Sequence, residues 1–229
     1  MINGKSIIGI ITARGGSKGI PGKNIKLIAG KPLIAWTIEE ANKSKYIDRL
    51  ILSSEDVNII RVAKEWGCEV PFIRPQELAL DDTPGIDPVI NALNELREKY
   101  YYTCLLQPTS PLRKAKHIDE VIELCEEMHT DSCVSMVEVS KPPQWIFRMD
   151  NLYKITPFLK GKELVRRQDA DKLYSLNGSV YLMKTQKLLE TKSFIISNTI
   201  GYIMDKISSI DIDDIIDFNI VEYFLKNES

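Results

Sequence analysis

The chain has 229 residues, is 44% hydrophobic, and carries 30 Lys plus Arg against 32 Asp plus Glu, a net charge of −2. That size suffices for one α/β domain with an appendage. The near-neutral balance excludes a global basic field of the kind that gathers nucleic acid, so any anionic ligand must be held by a local cluster.

In chain order, residues 6–12 form an apolar, β-branched run of strand length. The string ITARGGSKGIPGKN, residues 11–24, follows at once. It places Gly15, Gly16 and Ser17 in one loop with Arg14, Lys18 and Lys23, and Lys26 lies just beyond. Glycines let backbone approach a ligand closely. Successive N–H groups in such a turn form an anion-binding concavity, and Lys and Arg neutralise phosphate charge. The loop fits neither the P-loop nor the dinucleotide fingerprint, because its glycine spacing is wrong and no Gly-Lys-Ser/Thr ends it. Its chemistry points to a phosphate-bearing ligand held by another route.

Strand and helix patterns then alternate. The residues predict helices at 32–41, at 56–66 behind an Asp56 cap, at 87–99 behind an Asp87 cap, and at 117–128. They predict strands at 49–53, 102–107 and 132–138. This order predicts an α/β fold with a mostly parallel, doubly wound, Rossmann-like sheet whose ligands bind beyond the carboxyl ends of the strands. Arg14 falls there, as does the loop LQPTSPLRK (106–114), which offers Gln107, Thr109, Ser110 and Arg113.

Lys141-Pro142-Pro143 interrupts the alternation. Short runs at 146–148, 153–155 and 179–183 read as antiparallel strands of an inserted lobe spanning 140–184. That leaves 1–139 and 185–229 as the nucleotide-binding domain. The lobe has too little core of its own and is expected to pack on a second subunit. In it, Arg167 of VRRQD can hold a carboxylate bidentately, whereas Asn177-Gly178 reads as a tight turn. Parallel order resumes at 201–204, and an amphipathic helix at 213–225 closes the chain.

Before that helix, SIDIDD (209–214) alternates Asp211 and Asp213 with Ile210 and Ile212. Extended backbone puts both carboxylates on one face, an arrangement that suits Mg²⁺ beside a triphosphate. Helix capping is the simpler use of Asp213 or Asp214. The basic loop favours the metal pair. Cys68, Cys104, Cys125 and Cys133 stand singly, and with only His117 and His129 beside them no zinc site is expected. They read as reduced core residues of a cytoplasmic protein with no signal peptide and no membrane span.

Taken together, ARxGSKGxPxKN, RPxELA (74–79), QPTSPLR, RQD with NGxxY, and IDIDxxxDF resemble the acylneuraminate cytidylyltransferase family, in family order over nearly the whole chain. The resemblance implies a CTP-dependent homodimer that activates a nine-carbon sugar acid, with the lobe of one subunit reaching toward the other's site. It implies that Arg14 and Lys23 bind the β- and γ-phosphates with Ser17 beside them, and that Asn24 and Arg74 contact the cytidine. Gln107, Arg167, Gln168 and Tyr181 would lie along the sugar acid, and Asp211 and Asp213 would hold Mg²⁺. Asp171 stands where many relatives have proline, and Phe194 stands without a paired aromatic. N-acetylneuraminate is the leading acceptor, with legionaminic and pseudaminic acids as alternatives and Kdo behind them. A nucleotide-binding regulator without turnover is the non-enzymatic alternative.

Overall fold

A computed structural model of the protein describes residues 1–159, 166 and 170–227. In chain order these form β1 (Ile7–Thr12), a small hairpin of β2 (Leu27–Ile28) and β3 (Lys31–Pro32), α1 (Leu33–Asn42), β4 (Arg49–Ser53), α2 (Val57–Glu65), α3 (Asp87–Glu95) and β5 (Tyr102–Leu106). Then come α4 (Ala115–Glu127), β6 (Ser132–Glu138), β7 (Phe147–Met149), β8 (Ile155–Pro157), β9 (Tyr174–Lys184), α5 (Thr185–Thr191), β10 (Ile200–Met204) and α6 (Ile215–Asn227).

The central sheet has the order β10-β6-β9-β5-β1-β4. β1 pairs in parallel with β4 and β5, and β10 in parallel with β6. Side chains of β1 alternate between two cores, as period-2 geometry requires. Ile7 and Ile11 join apolar residues of α1, α2 and α4 on one face, and Ile8 and Ile10 join those of α3 and α5 on the other. The doubly wound α/β arrangement is thus present. No helix among the described residues is long and apolar enough to cross a membrane.

Local signals place most elements. Asp56 caps α2, its Oδ1 accepting from the N–H groups of Asn58 (2.8 Å) and Ile59 (3.0 Å). Asp87 does not cap α3. The helix begins at Asp87 itself, with Ile86 at the cap and Pro88 in the first turn, so Asp87 serves as a first-turn anion instead. All four cysteines are buried and unpaired.

Residues 179–183 correct the strand assignment. They belong to β9, which runs antiparallel between β5 and β6 in the middle of the main sheet rather than in the lobe. The reason is burial on both faces: Val180 and Leu182 enter one core and Met183 the other. The chain therefore leaves the sheet after Glu138 and returns at Tyr174. Between these points β7 and β8 form an antiparallel pair, close to the two short strands read from the sequence.

Asn177-Gly178 is likewise no terminal turn. Pairing with β6 slips in register across this point, which makes it a bulge inside β9. The buried Asn177 side chain stands in for the lost ladder bonds. Its Oδ1 accepts from Ser135 Oγ (2.6 Å) and Ser179 N–H (3.2 Å), and its Nδ2 donates to Ser209 Oγ (2.9 Å). Gly178 has φ +74°, and a Cβ there would lie 2.8 Å from Gln107 Oε1. Gly178→Ala is expected to cost about 1–2 kcal/mol for the left-handed backbone alone, and further for the displaced amide. Urea denaturation reads this loss, and an unchanged midpoint would show that the bulge is not strained by a side chain.

Candidate active site

A cleft of about 350 Å³ opens beyond the carboxyl ends of β1 and β5, and Arg14, Ser17, Lys23, Asn24, Gln107 and Asp213 all line it. A second cleft of about 270 Å³ adjoins it at Arg14 and is bounded by Arg74, Leu78, Leu80 and Asp81. Residues far apart in sequence converge because β1 and β5 are neighbours and because the acidic segment folds back over both.

The glycine-rich loop is held against two other segments. Gly15 N–H donates to Glu55 Oε1 at 2.8 Å, and a Cβ at Gly15 would meet Asp56 Oδ2 at 2.5 Å. A Cβ at Gly19 would come within 2.3 Å of the Asp213 carbonyl oxygen. These glycines are required for close approach. Lys23 Nζ donates to the Ile212 carbonyl. Asn24 is buried, and its Nδ2 donates to the Arg14 carbonyl at 3.0 Å. Its Oδ1 has no hydrogen-bond partner among the described residues.

Arg74 is 4% exposed. Its Nη2 donates to the Ala13 carbonyl at 3.0 Å and to Glu55 Oε2 at 2.5 Å. That places it as a brace between β1 and the loop after β4, on the wall of the second cleft. Arg14 makes three contacts to the segment after Arg74: the carbonyls of Ala79 (3.3 Å) and Leu80 (2.9 Å), and the carboxylate of Asp81 (2.9 Å). Lys18 pairs with the same Asp81 at 2.7 Å.

In the acidic segment Ile212 is fully buried against Phe218 and Val221 of α6, Ile28 and Leu112, and its N–H donates to the Thr109 carbonyl at 2.9 Å. Burying such a side chain contributes about 1.5–3 kcal/mol, which anchors the alternation. Asp211 is half-buried, and burial first, then the neighbouring Asp213 charge, pushes its carboxyl upward, against opposing pulls from Thr109 and Lys23. Its Oδ1 has no hydrogen-bond partner among the described residues. Asp213 is exposed, and Asp214 is the residue that caps α6, accepting from Ile216 N–H at 2.7 Å. The capping role and the paired carboxylates thus fall to different residues. A desolvated carboxylate oxygen lacking a protein donor, beside a second carboxylate at the cleft, is a donor set that fits a hard divalent cation completed by water and ligand oxygens. Among the described residues no group of three or more His, Cys, Asp or Glu could hold a metal.

Gln107 sits opposite Gly178 of the β9 bulge, and Asp211 Oδ2 approaches the same glycine, 3.8 Å from where its Cβ would be. Tyr181 is half-buried, its phenol pushed up by burial and by the Asp211 charge. Its ring lies 5.6 Å from that of Phe194, which is itself buried. Phe194 therefore supports Tyr181 from within the core and offers no stacking face to a ligand. Arg167 and Gln168 lie outside the described residues.

Arg113 is a feature that sequence reasoning noted only as a polar group at a strand end. Its side chain is fully buried, and Nη1 donates to the carbonyls of Gln107 (3.1 Å) and Ser179 (2.8 Å), clamping β5 to β9 just beyond the bulge. Burial lowers its pKa to about 10. Glu55 and Asp81 escaped the sequence reading, and Asn177 was legible there only as part of a tight turn. Each works through a contact with a remote segment, which no local pattern reports. His117 is buried, its Nδ1 accepting from Lys114 N–H at 3.1 Å. It caps α4 and does not line the cleft.

The family model described as "Cytidylyltransferase" matches residues 8–222. The CMP-N,N'-diacetyllegionaminic acid synthase of Legionella pneumophila is 36% identical over 227 residues, covering 96% of both chains. The N-acylneuraminate cytidylyltransferase of Escherichia coli is 35% identical over 93% of this chain, which spans about half (51%) of that longer relative. The solved structure of a CMP:2-keto-3-deoxy-manno-octonic acid synthetase complexed with CTP shares the fold, with a TM-score of 0.75 at 14% identity over 98% of this chain and 100% of its own. With its basic glycine loop, its QPTSPLR segment and Asp213 of the acidic segment meeting at one cleft, the chain belongs to the acylneuraminate cytidylyltransferase family.

Proposed function

We propose that the protein transfers CMP from CTP to the anomeric hydroxyl of a sialic acid-type nonulosonic acid and releases pyrophosphate. One observation carries this reading: a single cleft gathers Arg14, Ser17, Lys23 and Asn24 of the glycine-rich loop with Gln107 and Asp213. The hydroxyl oxygen bonds to the α-phosphorus, the α–β bridging bond breaks, and the hydroxyl proton passes to solvent water. Such transfers depend on positioning and charge neutralisation more than on covalent help. Arg14 and Lys23 meet the β- and γ-phosphates, Ser17 lies beside them, and Asn24 and Arg74 face the cytidine side. Gln107 and Tyr181, together with Arg167 and Gln168, orient the sugar acid. Asp211 and Asp213 would hold Mg²⁺, which supplies charge neutralisation to the triphosphate. Use of CTP and four buried, unpaired thiols support the cytoplasm as the compartment.

N-acetylneuraminate is the leading acceptor, and one observation favours legionaminic acid as a second reading. Phe194 is buried beneath Tyr181, so no aromatic pair is free to stack on the acid. We further infer a homodimer. The segment around β7 and β8 exposes Met149 (65%), Leu152 (74%), Tyr153 (82%) and Ile155 (61%), an apolar surface of the kind that marks an interaction site.

Four measurements test these readings. Pyrophosphate release with CTP should be supported by N-acetylneuraminate or legionaminic acid, compared by kcat/KM, and hardly at all by Kdo or hexose phosphates. A preference for Kdo would overturn the assignment. A chelator, or Asp211→Asn, should abolish that release while Tm stays equal or rises, because the substitution removes a buried charge. Full activity with chelator would remove the metal role. Lys23→Ala should lower kcat/KM by about 10²–10³-fold, whereas Lys26→Gln, whose ammonium lies 5.7 Å over the Phe218 ring, should change it little. The reverse ranking would show that the loop is misassigned. Sedimentation at micromolar concentration should show a dimer, and a monomer alone would contradict the role of the lobe.

A further inference from the structure

The cations expected to receive the triphosphate are already engaged. Asp81 sits between Arg14 Nη2 (2.9 Å) and Lys18 Nζ (2.7 Å). Two further bonds, from Arg14 Nη1 to the carbonyls of Ala79 and Leu80, tie the guanidinium to the same segment. The carboxylate is half exposed and lines the second cleft, which adjoins the first at Arg14, so it is no buried structural ion pair. It is also strongly anionic there, held below the usual carboxylate range by Lys18 and Arg14. Neighbouring Asp82 is also exposed and makes no ion pair among the described residues. The contact therefore belongs to one position and not to an acidic loop as a whole.

We propose that Asp81 is an internal competitor for the phosphate subsite and sets the anionic charge a ligand needs to enter it. The proposal rests on the reading of Arg14 and the glycine loop as the polyphosphate site. An entering anion must displace the carboxylate from Arg14 and Lys18. A triphosphate gains enough Coulomb energy from Arg14, Lys18 and Lys23 to do so. A nucleoside monophosphate or a phosphodiester carries too little charge there to compete as well. The same carboxylate recaptures both cations as pyrophosphate leaves, which limits retention of that product. Asp81 thus acts as a specificity determinant for polyphosphate against less charged nucleotides.

The experiment is calorimetric titration of the full chain with inorganic tripolyphosphate, pyrophosphate, CTP and CMP. Wild type is compared with Asp81→Asn and, as a charge-matched control, Asp82→Asn. Exposed ion pairs are individually weak, so Asp81→Asn should tighten tripolyphosphate and pyrophosphate by about three- to tenfold, and narrow the gap between CTP and CMP. Inhibition of turnover by pyrophosphate should strengthen in parallel. Asp82→Asn should leave all four nearly unchanged. Unchanged or weaker polyphosphate binding in Asp81→Asn would overturn the proposal, as would an equal gain in Asp82→Asn. Tighter tripolyphosphate without any CTP binding would sink the CTP reading and leave Asp81 as competitor. CTP binding that is indifferent to Asp81→Asn would do the opposite.

Discussion

The cleft depends on one close contact, between the glycine-rich loop and the acidic segment that precedes α6. Gly19 lies so near the Asp213 carbonyl that no side chain could stand there, and Lys23 reaches the adjacent Ile212 carbonyl. Ile212 anchors the segment in the core formed with α6. The apolar half of the alternation fixes where the polar half points. A cationic loop and two carboxylates are thereby held side by side, where their opposite charges attract. Burial and the neighbouring Asp213 charge push Asp211 upward, and Asp81 engages Arg14 and Lys18. One carboxylate is desolvated without a donor on Oδ1 among the described residues, and another pairs with two cations of the loop.

The second constraint is the antiparallel strand β9. Threading it between β5 and β6 removes the regular parallel ladder at the point where the sheet meets the cleft. The bulge at Asn177-Gly178 then turns the strand, with the Asn177 amide satisfying what the ladder lost. Gln107 fits over Gly178 because no Cβ is there. Arg113 binds both strands through their carbonyls at a position where burial lowers its pKa to about 10. A buried cation without a carboxylate partner is costly, so it is found where two strand ends must be kept in fixed register. Arg74 does comparable work on the other side, joining Ala13 to Glu55.

The lobe follows different rules from the sheet. Its β7–β8 pair is too small to bury its own apolar side chains, as expected of an isolated two-stranded unit. The sheet supports the site from within one chain, whereas the lobe presents apolar surface outward.

Local patterns by themselves determined the parallel strands, the helices between them, the Asp56 cap, the basic loop and the alternation of Asp211 with Ile212. In each, the cause lies within a few residues: period 2, period 3.6, a cap, or a glycine next to a charge. Residues 179–183 were legible as a strand, but their place was not. A short apolar run reads alike in a lobe and in a sheet centre, and only pairing on both edges separates the two. The same limit hid the bulge, since Asn-Gly at a turn and Asn-Gly inside a strand have one local sequence. Arg74, Arg113 and Asp81 are decided by partners 61, 66 and 67 positions away, at Ala13, Ser179 and Arg14. Which cation a carboxylate neutralises, and which carbonyls a buried guanidinium joins, depend on distances that exist only once the sheet has closed and the acidic segment has folded over it.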